Sequence, residues 1–279
     1  MAFFFFLSGC AGVPTITHIQ VADEGNDLPV AAVQAPAGAT PYARLPAQET
    51  LTYEIRCLGV GVGTITASVS GIKNYNGREA YLLGATVKTN AFFSRIHKID
   101  DRLVSYLDTE KLHTLRQEVY RREGSYRKES VTEFDQAQHK AYFKDLLSRS
   151  EKTFDIPEGV QDVLSASYAL MLQPLPLGTG VEYYVYHNEQ VRRYFCLVSS
   201  NVLVRSSALG DGPVQGVMIF PFATRKEGKV AGRGKVTAYY CGEGRTVPVY
   251  ASIVKVPFFA EAGVSLLSKK EAAAAPKKD

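Results

Sequence analysis

Ser94, His97, Asp100 and Asp101 bring a hydroxyl, an imidazole and two carboxylates within eight residues. Those are the types a nucleophilic triad uses, and a triad is recognised by its geometry. No nucleophile-elbow pattern flanks Ser94, so the stretch reads as a strand histidine near a polar turn. Gly59-Val60-Gly61-Val62-Gly63 has the glycine density of a phosphate loop. That fingerprint needs a helix after it, whereas Thr64-Ile65-Thr66-Ala67-Ser68-Val69 alternates as a strand. A glycine bulge between strands accounts for the change of phase from Val60 and Val62 to Ile65 and Ala67.

Carboxylates are interleaved with bases: Arg116 and Glu118, Arg122 and Glu123, Lys128 and Glu129, then Glu133. That pattern reads as an exposed hairpin face with cross-strand ion pairs. A glycosidase pair distant in sequence stays open, but nothing singles one out. The five histidines, at positions 18, 97, 113, 139 and 187, never stand at i, i+2 or i, i+4. With no CxxC either, no metal site is expected, and no cofactor. Cys57, Cys196 and Cys241 sit in strand-like runs. At most one pair of them can bridge; all three read as small buried hydrophobes. Arg121, Arg122, Tyr126, Arg127 and Lys128 read as a solvated hairpin. A net charge of +4 over 279 residues is too mild to argue for nucleic acid.

Phe3-Phe4-Phe5-Phe6-Leu7 runs into Leu7-Ser8-Gly9-Cys10, which looks like a bacterial lipobox. Cleavage before Cys10 and lipid on its thiol are expected, with residues 1–9 as a signal peptide. A signal carries a basic n-region, and none precedes Cys10; a basic piece upstream of Met1 is therefore expected. The apolar run is short of the ~20 residues that span a bilayer. These features place the chain in the bacterial cell envelope, facing the periplasm and held to the membrane through Cys10. Ala11 in place of an acidic residue looks like outer-membrane sorting.

Residues 10–48 are rich in Ala, Pro, Gly and Thr without periodicity and read as a flexible tether with a reach on the order of 35 Å. Residues 268–279 read as a disordered basic tail. Between them, period two dominates. Leu51, Tyr53, Ile55 and Cys57 share one strand face, as do Ile65, Ala67 and Val69, then Tyr81, Leu83, Ala85 and Val87. Turns are expected at Asn76-Gly77 and at 122–125, between strands at 115–121 and 126–134. Later strands are expected at 181–187, 193–199, 202–206, 214–220, 234–241 and 246–256. Val160, Val163, Leu164, Tyr168 and Met171 share a helical face. A helix over about 158–172 follows, capped by Asp155 with Pro157 in its first turn and stopped by Pro174 and Pro176. The fold class is thus mainly β: a large curved antiparallel sheet or open β-barrel with one central helix. The domain covers 49–267, as one unit or as two β halves, 49–155 and 178–267, joined by the helix.

Several stretches together resemble the exported bacterial proteins grouped as domain of unknown function 3108. These are Leu51-Thr52-Tyr53-Glu54-Ile55, Tyr106-Leu107-Asp108, Phe134-Asp135, Asp162-Val163-Leu164-Ser165-Ala166-Ser167-Tyr168, Pro174-Leu175-Pro176-Leu177-Gly178, Gly234-Lys235-Val236-Thr237-Ala238 and Val247-Pro248-Val249. The resemblance spans roughly 48–267, with His113 where a proline would be expected. It implies a β-rich exported protein and brings no catalytic residues with it. A curved sheet with aromatic residues on its concave side suits an apolar ligand; Tyr53, Tyr81, Tyr168, Met171, Tyr183 and Tyr239 are the candidate lining. The expected function is non-enzymatic binding of a lipid, another apolar ligand or an envelope-protein segment. The alternatives are a scaffold that pairs through a sheet edge and a hydrolase of cell-wall polymer.

Overall fold

The computed structural model describes residues 44–224, 235–242, 245–255 and 260–271. They form one sheet of fifteen strands with a single buried α-helix. From one edge to the other the order is β8-β7-β6-β5-β4-β3-β2-β1-β15-β14-β13-β12-β11-β10-β9. The first half supplies β1 (Glu49–Cys57), β2 (Val60–Tyr75), β3 (Arg78–Thr89), β4 (Asp100–Asp108), β5 (Thr114–Glu123), β6 (Tyr126–Asp135), β7 (Lys140–Asp145) and β8 (Glu151–Asp155). After β9 (Gln161–Asp162) and α1 (Val163–Met171) come β10 (Gly180–His187), β11 (Gln190–Arg205), β12 (Pro213–Thr224), β13 (Lys235–Cys241), β14 (Val247–Lys255) and β15 (Ala260–Glu271). Every pairing is antiparallel except that of β9 with β10. The two halves meet where β1 pairs with β15.

Alternation drives this arrangement. Leu51, Tyr53 and Ile55 are buried while Thr52, Glu54 and Arg56 are only half covered, as one-sided burial of a strand requires. Asn76 and Gly77 both take positive φ, 51° and 82°, the two-residue turn that suits strand twist. The glycine run is a bulge: Ile55 pairs with Gly63 and Arg56 with Gly61, so Val62 is the extra residue. Gly63 is required there, because a Cβ would lie 2.3 Å from the Lys88 carbonyl oxygen.

The helix starts five residues later than expected. Gly159 has φ +70°, Ile156 donates its N–H to the His139 carbonyl at 2.9 Å, and Asp162 is the cap. Asp155, the expected cap, ends β8 and pairs with Lys140 instead. An Asp that satisfies two orphan N–H groups outcompetes one that would need a left-handed glycine inside the first turns. All nine residues of α1 are buried, so the helix is enclosed by the curled sheet rather than lying on it with one face. The strands expected at 193–199 and 202–206 are one strand, β11, with a bulge between Val198 and Ser200. β15 runs on to Glu271, past the boundary read at 267, because Lys269 and Lys270 pair with Leu51 and Thr50.

The sheet curls until its distant parts touch through side chains and loop backbone. Tyr186 of β10 packs edge-on against Phe134 of β6, with ring centroids 5.3 Å apart. Glu189, in the β10–β11 turn, receives Lys128 at 3.0 Å and also pairs with Lys152. Gln136 donates its amide to the carbonyls of Thr114 at 2.7 Å and Val160 at 3.0 Å. The result is an incompletely closed barrel with a core filled by Tyr53, Tyr168, Tyr240 and their aliphatic neighbours.

Candidate functional site

The helix is fixed by a buried polar knot. Asp162 Oδ1 accepts the backbone N–H groups of Leu164 at 2.7 Å and Ser165 at 3.0 Å. Its Oδ2 accepts the hydroxyls of Ser165 at 3.1 Å, Thr114 at 3.2 Å and Ser105. Burial pushes the Asp162 carboxyl above its ordinary range, against the pull of the Ser105, Ser165 and Leu164 donors. Every oxygen has partners and the residue is fully enclosed, so this carboxylate positions the helix and reaches no solvent. The motif at Asp162, Ser165 and Tyr168 is in this way structural.

Beside the knot an open cleft of about 430 Å³ remains. Glu110, Lys111 and Leu112 of the β4–β5 connection form one wall. Glu158, Gly159 and Gln161 form a second, and the helix adds Ala169 with Gln173 just beyond it. β10 closes the cleft with Glu182, Tyr183 and Tyr184. Gln161 donates its amide to the Leu112 carbonyl. Its Oε1 is buried without a hydrogen-bond partner, and so is the Tyr183 hydroxyl. Burial holds the Tyr183 hydroxyl well above the usual phenol range, so it is a donor at neutral pH. Both atoms are enclosed, the Tyr183 hydroxyl on the core side near Cys196 and Tyr240. The cleft itself is lined by three carboxylates and one ammonium. No histidine, cysteine or serine lines the cleft; its polar walls and the ring of Tyr184 suit a polar or amphipathic molecule.

The six tyrosine and methionine candidates are spread over two environments. Tyr53, Tyr81, Tyr168 and Met171 lie in the filled core. Tyr239 is there too, its ring stacked on Tyr250 at 5.8 Å. Tyr183 alone of the six lines the cleft. Gln161, Gln173, Glu110, Lys111, Glu158 and Glu182 were not legible as site residues. Gly159 was the available signal, since a glycine within the expected first turns marks a loop. Cys10 falls outside the described residues.

The other sequence candidates resolve locally. Ser94 Oγ donates to the Thr89 carbonyl at 3.1 Å and lies 2.9 Å from the Thr89 hydroxyl. Asp101 accepts the Arg122 N–H at 2.9 Å, and no hydrogen bond among the described residues joins His97 to Ser94 or to either aspartate. His113 is buried with its Nε2 4.0 Å from Asp108, and burial lowers its pKa. Cys57, Cys196 and Cys241 are thiols, the last two buried. Among the described residues no His, Cys, Asp or Glu group is arranged to hold a metal ion, and no helix is long and apolar enough to cross a membrane.

Comparison with known proteins gives a fold and a family model. The model described as a protein of unknown function, DUF3108, matches residues 50–257. The chain is similar in structure to a β-barrel-like protein of DUF1849 from Brucella abortus, at 10% identity and TM-score 0.51. That match covers 83% of this chain and all of the other. A Bacteroides fragilis protein with a YmcC-like fold matches at 11% identity and TM-score 0.34, over 84% of this chain and all of the other. No curated protein matches the chain.

Proposed function

The chain belongs to the DUF3108 family, and from that premise we propose that it is a non-enzymatic binding protein of the bacterial cell envelope. It is held to the membrane by lipid on Cys10, at the outer membrane, and it takes one amphipathic ligand in the cleft beside α1. The observation that carries this reading is a 430 Å³ opening beside α1 whose walls combine the charged and polar side chains of Glu110, Lys111, Glu158 and Gln173 with the ring of Tyr184. Glu110 and Glu158 outnumber Lys111 and favour a ligand with a cationic or hydroxyl-rich head, while Glu182 is paired with Arg193. The ring of Tyr184 and the side chains of Leu112 and Ala169 give its apolar part a surface.

Pairing of an envelope-protein segment with a sheet edge is the weaker alternative. The β8 edge is five residues long and carries Glu151, Lys152 and Asp155, and short charged edges resist added strands.

The test is native mass spectrometry of the Cys10→Ser chain, exported to a periplasm and purified without detergent. A non-peptide mass that denaturation releases is expected. It should be reduced in Glu110→Gln and Glu158→Gln variants whose melting temperature is unchanged. A clean ligand-free mass from every preparation, or a bound mass indifferent to both substitutions, sinks the proposal.

A further inference from the structure

Strands β1, β3 and β5 run in the same direction, so the connections that leave them share one end of the sheet. Those connections are locked to one another. Asn90 donates its backbone N–H to Val62 O at 2.9 Å and its side-chain amide to Gly61 O at 2.7 Å. Gly124 donates its N–H to Lys98 O at 2.7 Å, and Ile99 bridges to Glu123. Three neighbouring loops therefore form one rim.

That rim exposes large apolar side chains to water. Leu58 is 66% exposed, Val60 53%, Phe92 64%, Ile96 72% and Tyr126 48%. At the other end of these strands, the turns at Asn76-Gly77, 109–111 and 136–139 expose no large apolar side chain. Between the apolar residues of the rim stand the exposed bases Arg95, Lys98, Arg122 and Arg127; of the nearby acids Glu123, Glu129 and Asp100, Glu129 pairs with Arg122 and Asp100 with Lys88. Neither Arg95 nor Lys98 forms an ion pair among the described residues. Apolar tips beside the unpaired cations Arg95 and Lys98 match the two layers of an anionic bilayer surface, acyl chains below and phosphates above.

We infer that this rim docks the domain onto a bilayer surface rich in anionic phospholipid. Phe92, Ile96, Leu58 and Val60 enter the boundary of the acyl layer, and Arg95, Lys98, Arg122 and Arg127 meet phosphates. The inference stands apart from the cleft and from lipid on Cys10.

The chain contains no tryptophan, which makes a single-tryptophan reporter unambiguous. The full Cys10→Ser chain carrying Ile96→Trp is mixed with phosphatidylcholine vesicles with and without phosphatidylglycerol. A chain carrying Leu203→Trp, exposed on β11 away from the rim, is the control. The expected result is a blue shift for the position-96 reporter on phosphatidylglycerol vesicles only, reversed by high salt. The control should show none. Arg95→Glu with Lys98→Glu should lower vesicle co-sedimentation roughly tenfold or more, with the melting temperature unchanged. Residues 3–7 are present in every variant, so sedimentation through them leaves the position-96 reporter unmoved. That outcome overturns the inference, as does binding that ignores phosphatidylglycerol and the two charge reversals.

Discussion

Thr114 and Asp162, 48 residues apart, hold each other by reciprocal hydrogen bonds. The Asp162 backbone N–H donates to Thr114 Oγ1 at 2.6 Å, and that hydroxyl donates to Asp162 Oδ2 at 3.2 Å. One residue begins β5 and the other caps α1, so the pair is where the curled sheet grips its helix. Thr114→Val keeps the shape and removes both partners, leaving a buried N–H unpaired. The expected cost is about 1–3 kcal/mol, a drop of several degrees in thermal unfolding followed by circular dichroism. Thr114→Ser should recover most of it. Equal melting of Thr114→Val and the parent would remove the seam from the account of stability.

A buried carboxyl and a half-buried imidazole give opposite pH dependences. The Asp101 carboxyl is pushed up to about 6, chiefly by burial, with Glu123 adding to the effect. Unfolded, it titrates near ~3.9. Between those values the folded state binds more protons, so stability is lost as pH rises through the window. His187 is pushed down to about 4 by burial and by the charges of Arg121, Arg192 and Lys128. The unfolded imidazole takes its proton near ~6.5, so this contribution is lost as pH falls. Asp101→Asn should leave a profile that drops toward acid, and His187→Gln one that drops from about pH 4 to 6. Each change is about 1–3 kcal/mol in urea-derived stability. Parallel profiles for parent and both variants would refute the assignment.

The sequence displays β1 to β3 because each buries one face, which leaves period two intact in Leu51, Tyr53 and Ile55 and in Ile65, Ala67 and Val69. It hides β4, where Leu103, Val104 and Ser105 are buried in succession, and a strand covered on both faces loses its alternation. It hides β8 for the opposite reason: four of its five residues are exposed, so nothing apolar marks a face. The shift of the helix start turns on the competition between Asp155 and Asp162, and only contact with Thr114, Ser105 and β10 decides it. The tyrosines read as a ligand lining are mostly core because a curled sheet brings both halves onto the same side chains. The cleft was hidden for a related reason: Lys111, Gln161 and Tyr183 lie on three separate connections and strands, and no local pattern links them.

Glu49 and Arg245, 196 residues apart, form another long-range bond of the core. Arg245 Nη1 donates to Glu49 Oε2 at 3.1 Å, Nη2 also reaches the Glu49 carboxylate, and Nη2 lies 3.2 Å from Glu271. The same Nη1 lies 3.8 Å from the Met171 sulfur at the end of α1. Burial raises the Glu49 pKa even though Arg245 opposes it, so desolvation outweighs the attraction of one guanidinium. Arg245→Met would strand a buried carboxylate at neutral pH, at a cost of about 3–5 kcal/mol. That loss should shrink as pH falls, because an unpaired Glu49 can take up a proton where a paired one resists it. Adding Glu49→Leu removes the stranded charge, so the double variant should be more stable than Arg245→Met alone. Urea midpoints of the four chains of this cycle, at neutral and acid pH, measure the coupling. If the double variant loses the sum of the two single losses at both pH values, the pair acts as independent residues and not as one buried ion pair.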